Sequence, residues 1–310
     1  MGLTLDINSF RLCWQEDKQM DPTTALYVAQ GIHGLSYGMV LFLVASGLTL
    51  IFGMMGILNI AHASFFMLGA YFCFQVLSMT GNFWVSLLVA PISAGFLGVL
   101  CERFLLRKIH AYGHVGELLL TVGIGMVILE GVKIFWGTQS LPITIPPVLQ
   151  GLLNIGGFEY PIYRLFIIVL AVVILGIMAL LLYKTRLGMI VRAAVSDADM
   201  VDALGVNVPV VFMLVFGFGT WLAGVGGVAV APIMTVYPGL ADQVGMDAFV
   251  VVVTAGFGSL KGAFLVSIIF GMLNAYGVQF VSQLAPVLMF SFMAIVLAFK
   301  PAGFFGEIES

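Results

Sequence analysis

The sequence has 310 residues, of which 61% are hydrophobic and only 9% are charged. In a soluble domain about a quarter of the residues are charged, so this composition excludes a soluble globular protein and makes the lipid bilayer the solvent for most of the surface. The net charge of −3 comes without a basic tail or stripe, which excludes nucleic acid as a partner. The three cysteines show no CxxC spacing and are predicted to be free thiols without a metal site: Cys13, Cys73 and Cys101.

Residues 1–24 form a polar segment that carries charges of both signs and no apolar core. Such a segment is unlike a cleavable signal peptide, so we expect the first hydrophobic stretch to remain as a membrane anchor. The transmembrane domain is predicted over residues 25–306, and a short C-terminal tail over 307–310.

Long apolar stretches recur along the chain. Residues 165–182 contain neither a charge nor a proline, and a helix needs about 20 apolar residues to cross the hydrocarbon core. Helices satisfy their own backbone hydrogen bonds in lipid, which makes them the default for such stretches. We therefore predict an all-α polytopic membrane protein with about eight or nine transmembrane helices. Their expected positions are roughly 28–52, 63–80, 83–101, 118–136, 165–182, 209–233, 245–259, 262–281 and 284–299.

Lysine and arginine are distributed unevenly among the connecting loops. Residues 102–116 and 184–207 each contain three of these basic residues, whereas 138–161 and 234–246 contain none. The positive-inside rule therefore predicts that the first two loops are cytoplasmic and the other two lie outside. Lys300 predicts, by the same rule, a cytoplasmic C-terminus.

Two glycine-rich stretches interrupt the apolar pattern, at 52–64 and at 255–262. Irregular backbone at membrane depth survives only where protein or a water-lined cavity satisfies its polar groups. Paired interruptions, one in each half of a chain, are typical of a central transport pathway. Polar residues accompany both breaks and are the predicted pathway residues: Asn59, His62, Ser64, Ser259 and Lys261. The alternatives are that the glycines only permit close packing and that these side chains only satisfy the broken backbone.

The cytoplasmic loop 184–207 contains a predicted short helix. Ser196 or Asp197 is a suitable N-cap, and Gly205 is placed to end the helix. Between them Met200, Val201 and Leu204 are expected on one side. A helix of about two turns is unstable by itself and must dock on something. The surface that it docks on is either another subunit or the membrane surface.

A few charged residues lie within or beside the apolar stretches. Glu130 and Lys133 are three residues apart and are expected to pair near the outer end of their helix. Arg164 and Glu117 are interpreted as anchors at helix ends. Asp247 is interpreted as part of an outer loop that is available to contact a receptor.

Other classes of membrane protein find less support in the sequence. A secondary transporter needs acidic residues at an ion-coupling site, for which Glu130 is the one candidate, and a channel needs a selectivity ring. The chain contains no zinc-protease motif and no nucleophile motif, so no catalytic residue is predicted. The phosphate-binding motif GxxxxGK followed by Ser or Thr is also missing, so we do not expect this chain to hydrolyse ATP.

From about residue 34 to 306 the chain resembles branched-chain amino acid ABC transporter permeases of the LivH type. The stretches that carry the resemblance are GLTLIFG at 47–53, LNIAH at 58–62, MLGAY at 67–71, LTVGI at 120–124, WG at 136–137, LAGVGG at 222–227, API at 231–233, DAFVVVV at 247–253, GFGS at 256–259 and KPAGFFG at 300–306. The loop 184–207 is similar to the family's coupling motif. Taken with the short helix, it gives the predicted ATPase-coupling residues: Arg192, Asp197, Met200, Val201, Leu204, Gly205 and Asn207.

The resemblance implies a permease subunit of an ATP-binding-cassette importer in the bacterial inner membrane, which moves branched-chain or other small amino acids by alternating access. It implies three kinds of partner: ABC ATPase subunits that use ATP and Mg²⁺, a second permease of the LivM type or a second copy, and a periplasmic solute-binding protein. The permease itself is expected to bind no cofactor. Ala63 and Ser64 replace the Gly and acidic residue that are usual in the family, so urea and short amides stay open as substrates.

Overall fold

A computed structural model describes residues 21–155 and 158–306 of the chain. The predicted polar segment 1–24 therefore lies outside the described residues except at its end, as do Cys13 and the predicted tail 307–310. The first helix begins at Pro22, with Asp21 immediately before it. Proline is favoured at this position because its missing N–H would be unpaired in any helix.

Eleven helices and one β-hairpin make up most of the described residues. The helices are α1 (Pro22–Met55), α2 (His62–Thr80), α3 (Phe83–Cys101), α4 (Gly113–Trp136), α5 (Ile162–Lys184), α6 (Arg186–Ser196), α7 (Ala198–Ala203), α8 (Val208–Val230), α9 (Leu240–Ala255), α10 (Leu260–Val281) and α11 (Ala285–Phe299). Short helical turns at Glu102–Leu106, Arg107–Ile109 and His110–Tyr112 connect α3 to α4. The antiparallel strands β1 (Leu152–Ile155) and β2 (Phe158–Pro161) pair Leu152 with Pro161 and Asn154 with Glu159.

Seven described segments are long and apolar enough to cross a membrane: Thr23–Met55, His62–Thr80, Phe83–Ile109, Gly113–Trp136, Ile162–Lys184, Val208–Val230 and Leu260–Phe299. The last contains both α10 and α11, and α9 is an additional apolar helix of 16 residues. These are the positions at which the sequence predicts spans, and the prediction of an all-α polytopic membrane protein is confirmed.

Helix α1 forms the centre of the bundle. In its apolar stretch of 18 residues, 78% of the residues are buried, whereas the corresponding shares in α4 and α5 are 17% and 22%. The sides of α4 and α5 therefore face the surroundings with apolar residues, as expected for helices in contact with lipid. Close helix contact depends on small residues, because lipid supplies no hydrophobic force between helices. For example, a Cβ atom on Gly69 of α2 would lie 2.5 Å from the carbonyl oxygen of Gly224 in α8.

The loops group at two opposite ends of α1. Near its beginning, His33 lies 3.0 Å from the hydroxyl of Tyr160 in β2, and Leu141 forms a backbone bridge with Val236. Loops 138–161 and 234–246 thus share one end. At the other end, Met54 packs beside α6, α7 and the start of α8. The distribution of lysine and arginine predicts the same grouping, and the positive-inside rule predicts that the Met54 end is cytoplasmic.

Candidate functional site

The first break lets the chain turn back into the bundle. Helix α1 ends at Met55, with Gly56 in the left-handed conformation that commonly closes a helix. Residues 56–61 then return to the interior, because Nε2 of His62 at the start of α2 lies 3.0 Å from the carbonyl oxygen of Val44, well inside α1. The imidazole thus cross-links the beginning of α2 to the middle of α1.

The other polar residues of this break are buried as well. Asn59 is 2% exposed, and neither polar atom of its side chain has a hydrogen-bond partner within the described part of the chain. The hydroxyl of Ser64 lies 3.5 Å from the carbonyl oxygen of Gly125 in α4. A buried amide without a partner is rare in folded proteins. Both polar atoms of Asn59, and Nδ1 of His62, are without a partner among the described residues.

The second break lies beside Gly53, at the Met54 end of α1, and has fewer polar contacts. Gly258 packs against Gly53, so the two breaks meet through their glycines. Ser259 caps α10 by accepting a hydrogen bond from the backbone N–H of Gly262 at 3.2 Å, and Lys261 is exposed. The five predicted pathway residues therefore do not form one cluster: three are buried beside α1, one is a helix cap, and one is on the surface.

A cavity of about 570 Å³ opens at the other end of the bundle, between α1, α5, α9, α10 and α11. None of the five predicted pathway residues lines it. Its polar lining comes from residues far apart in the sequence: Gln30, His33, Ser36, Tyr37, Arg164, Gln243, Asp247 and Asn274. Concave sites of about 300–1,000 Å³ with a few convergent polar groups are typical ligand sites.

Two charged residues of opposite sign belong to this cavity. The hydroxyl of Tyr37 donates a hydrogen bond to Asp247 Oδ2 at 2.5 Å. The guanidinium of Arg164 contacts Nδ1 of His33, and the hydroxyl of Tyr160 lies 3.0 Å from the same nitrogen. Burial raises the pKa of Tyr160 to about 12, so this hydroxyl stays protonated. The interpretation of Asp247 as part of an outer loop was wrong, because it lies within α9 and faces a cavity.

This cavity was not predicted from the sequence, although two of its lining residues, Arg164 and Asp247, carry a signal. Arg164 and Asp247 are ionisable residues in or next to apolar stretches, and such residues are functional candidates by default. By contrast, Glu130 and Lys133 form the predicted ion pair at 2.7 Å, and the side chain of Glu130 is 63% exposed. That pair is therefore an exposed one and does not belong to a buried ion-coupling site.

Two buried acidic residues, Glu102 and Glu117, lie at the predicted cytoplasmic end. Glu117, interpreted above as an anchor, is only 5% exposed, and its Oε1 lies 2.6 Å from Nδ1 of His110. Glu102 is 1% exposed, and neither of its carboxylate oxygens has a partner among the described residues. Both acids lie at the connection between α3 and α4, so they contribute to fixing that connection within the bundle.

The coupling segment folds as two short helices in place of the single one that was predicted. Helix α6 follows α5 directly, with Thr185 as its N-cap, and α7 follows α6. Asp197 caps α7 by accepting a hydrogen bond from the N–H of Met200 at 2.8 Å, and Gly205 after its end has a φ of +85°. The predicted N-cap and terminal glycine of α7 are thus confirmed. Asn207 caps α8, and the guanidinium of Arg192 lies over the ring of Tyr183 at 5.5 Å.

The three apolar residues predicted to share one face, Met200 and Val201 of α7 and Leu204 directly after it, do not do so. Val201 is 6% exposed and packs with Met54 of α1 and Val215 of α8. Met200 and Leu204 are 57% and 76% exposed. The expectation that all three lie on one side was wrong, because Val201 is buried against the bundle whereas Met200 and Leu204 are exposed. Val201, together with the partly buried Ala198, attaches α7 to the bundle, and Met200 and Leu204 point away from it.

Comparisons with known proteins identify the family. Residues 32–299 match the family model described as branched-chain amino acid transport system, permease component. The high-affinity branched-chain amino acid transport system permease protein BraD of Pseudomonas aeruginosa is 28% identical over 91% of this chain and 97% of its own length. LivH of Salmonella typhimurium is 26% identical over 91% and 96%.

Two more distant matches were found. A probable branched-chain amino acid transport permease protein LivH of Methanocaldococcus jannaschii is 24% identical over 76% of each chain. Among solved structures, PsaBC from Streptococcus pneumoniae in complex with Fab matches 86% of this chain and 90% of its own, with 11% identity and a TM-score of 0.48. Given the match over residues 32–299, this chain belongs to the branched-chain amino acid transport system permease family and is a multi-pass membrane protein that serves as the permease component of a transporter.

Proposed function

We propose that this chain is the translocation subunit of an ATP-binding-cassette importer in the bacterial inner membrane, and that it moves branched-chain or other small amino acids by alternating access. Urea and short amides are the second candidate class of substrate. The observation that carries this proposal is the pair of exposed apolar residues, Met200 in α7 and Leu204 directly after it, beside Val201, which packs against the bundle.

The geometry of α7 favours a protein partner. A helix of six residues has no independent stability, yet α7 is capped at its beginning by Asp197 and closed at its end by Gly205. Its outward residues, Met200 and Leu204, form a small apolar projection at the predicted cytoplasmic end. Exposed apolar groups in such a rigid setting are typical of docking sites. We assign this projection to the groove of an ABC ATPase subunit, which would bind ATP and Mg²⁺ in place of this chain.

Helix α1 would carry the movement across the membrane. At its cytoplasmic end Met54 packs with Val201 of α7, and toward its other end Tyr37 lines the polar cavity. These two residues of one helix lie about 25 Å apart along its axis at 1.5 Å per residue. A displacement of α7 by the ATPase would therefore reach α1, and through it the cavity, by way of this shared apolar cluster.

The remaining partners are assigned by position. The β1–β2 hairpin and the loop that contains Val236 lie at the opposite end from α7, where a periplasmic solute-binding protein would deliver the solute. A second permease, either of the LivM type or a second copy of this chain, would complete the membrane part. The apolar sides of α4 and α5 are available for that contact or for lipid.

Reconstitution in proteoliposomes tests the proposal. The purified chain alone should hydrolyse no ATP, and together with its ATPase subunits, second permease and receptor it should take up leucine only when ATP is supplied. Uptake by the chain alone, driven by a proton or sodium gradient without ATP, would instead show a secondary transporter. Passive uptake that follows the leucine gradient would show a channel.

A further inference from the structure

The cavity at the predicted outer end contains the chemistry of a specific ligand site. We propose that it binds the transported solute as a zwitterion, with Arg164 holding a carboxylate, Asp247 and Tyr37 holding an ammonium group, and the apolar wall of the cavity holding a short side chain. This inference rests on the proposed function and deepens it, because it selects α-amino acids over neutral amides as the solute.

Arg164 and Asp247 give the cavity one positive and one negative side chain. An ionisable residue in a membrane protein is costly and is kept near a partner or a functional site. Arg164 and Asp247 both line the cavity and are half-buried, yet within the described residues no ion pair joins them to each other or to a third charged residue. Each charge is therefore available to a ligand, and a ligand that carries both opposite charges would neutralise both.

Contacts with neighbouring residues orient both charged side chains. Arg164 contacts His33, whose neighbour Tyr160 is buried in β2. A guanidinium has five N–H donors, so these contacts fix its direction and leave donors for a carboxylate. Asp247 accepts a hydrogen bond from Tyr37 on one oxygen, and no other hydrogen bond reaches this carboxylate from the described residues. Its second oxygen is thus free to accept from an ammonium group.

Apolar side chains make up much of the remaining cavity wall. Between the charged groups the cavity is lined by Val40, Val230, Val250, Met289 and Phe290. These side chains suit an aliphatic group and make no hydrogen bonds with an amide. The flexible thioether side chain of Met289 also adapts to ligands of different shape. One cationic side, one anionic side and an apolar wall are the three features that distinguish an amino acid with an apolar side chain from urea.

Equilibrium binding to the nucleotide-free complex in lipid nanodiscs, without the receptor, tests the site. The probes are labelled leucine, isopentylamine, which lacks the carboxylate, and 4-methylpentanoate, which lacks the ammonium group. Wild type should bind leucine about tenfold or more tightly than either analogue, because each charge-assisted contact is worth at least about a factor of ten. Urea should not compete.

Two variants give a signature that a merely structural role would not produce. Arg164→Gln should weaken the binding of leucine about tenfold or more and leave the binding of isopentylamine unchanged. Asp247→Asn should also weaken the binding of leucine, but leave the binding of 4-methylpentanoate unchanged. Lys133→Gln and Glu130→Gln are the matched controls, since this exposed pair lies outside the cavity. If Arg164→Gln does not assemble, Arg164→Lys, which retains the positive charge, should keep a preference for leucine over the amine.

The outcomes separate this inference from the proposed function. If the complex takes up leucine with ATP but both cavity variants bind all probes like wild type, the zwitterion site is refuted and the importer stands. Lack of saturable leucine binding to wild type at about 10 mM, or equal competition by urea, also refutes it. Uptake that needs no ATP refutes the importer, whatever the binding signature shows.

Discussion

The exposed pair on α7 gives the sharpest quantitative prediction. The double substitution Met200→Ala and Leu204→Ala removes the projection and leaves Val201 attached to the bundle. Full burial of a leucine or methionine side chain is worth about 1.5–3 kcal/mol. Met200 and Leu204 are 57% and 76% exposed, so their burial in an ATPase groove would contribute about 2–4 kcal/mol together. At about 1.4 kcal/mol per factor of ten, the ATPase should bind about 30- to 700-fold more weakly.

A binding titration of fluorescent ATPase subunit against the permease complex in nanodiscs measures this loss. Thermal stability of the permease alone should change little, because substitutions of exposed residues usually fall within about 0.5 kcal/mol. The matched control is Leu119→Ala with Met126→Ala on α4, which are 66% and 63% exposed and lie away from the coupling segment. An unchanged ATPase affinity in the α7 variant, or an equal loss in the α4 control, would refute the docking role of α7.

Three further substitutions test the local geometry. Gly205→Val forces a β-branched residue to a φ of +85°, which costs about 1–2 kcal/mol, so the amount of solute taken up per ATP hydrolysed should fall while membrane insertion stays intact. The control is Gly123→Val in α4, where an added side chain meets open space. A normal ratio of uptake to ATP hydrolysis in Gly205→Val contradicts the prediction. Asp197→Ala should weaken ATPase binding by removing a cap worth about 1 kcal/mol, whereas Asp197→Asn should retain it; equal affinities of the two variants would show that the cap is irrelevant. Gly227→Leu would place a Cβ 2.0 Å from the carbonyl oxygen of Phe66. This overpacking should cost about 1–3 kcal/mol of stability and lower the melting temperature of the protein. Gly176→Leu, whose side chain meets open space, should leave the melting temperature unchanged.

Residues whose role depends on their immediate neighbours in the chain were predicted well from the sequence. Asp197 and Gly205 delimit α7 because a cap requires only a side-chain oxygen and a left-handed residue a few positions apart. Residues 165–182 were recognised as a span because apolar length alone decides whether a helix can cross lipid. The glycine breaks were found for the same local reason.

Features that depend on which helices become neighbours could not be read in this way. His62 and Lys261 look equivalent as polar residues at glycine breaks, yet one is buried against Val44 and the other is exposed. Val201 and Leu204 look like one apolar face, yet only Val201 meets the bundle.

The sequence by itself determined that this is an α-helical membrane protein, where most of its apolar spans lie and how α7 begins and ends, because those properties follow from apolar length and local capping. Only the tertiary structure decided where the polar cavity is. Tyr37, Arg164 and Asp247 come from α1, α5 and α9. Their polar groups line one cavity only because packing brings these three helices together.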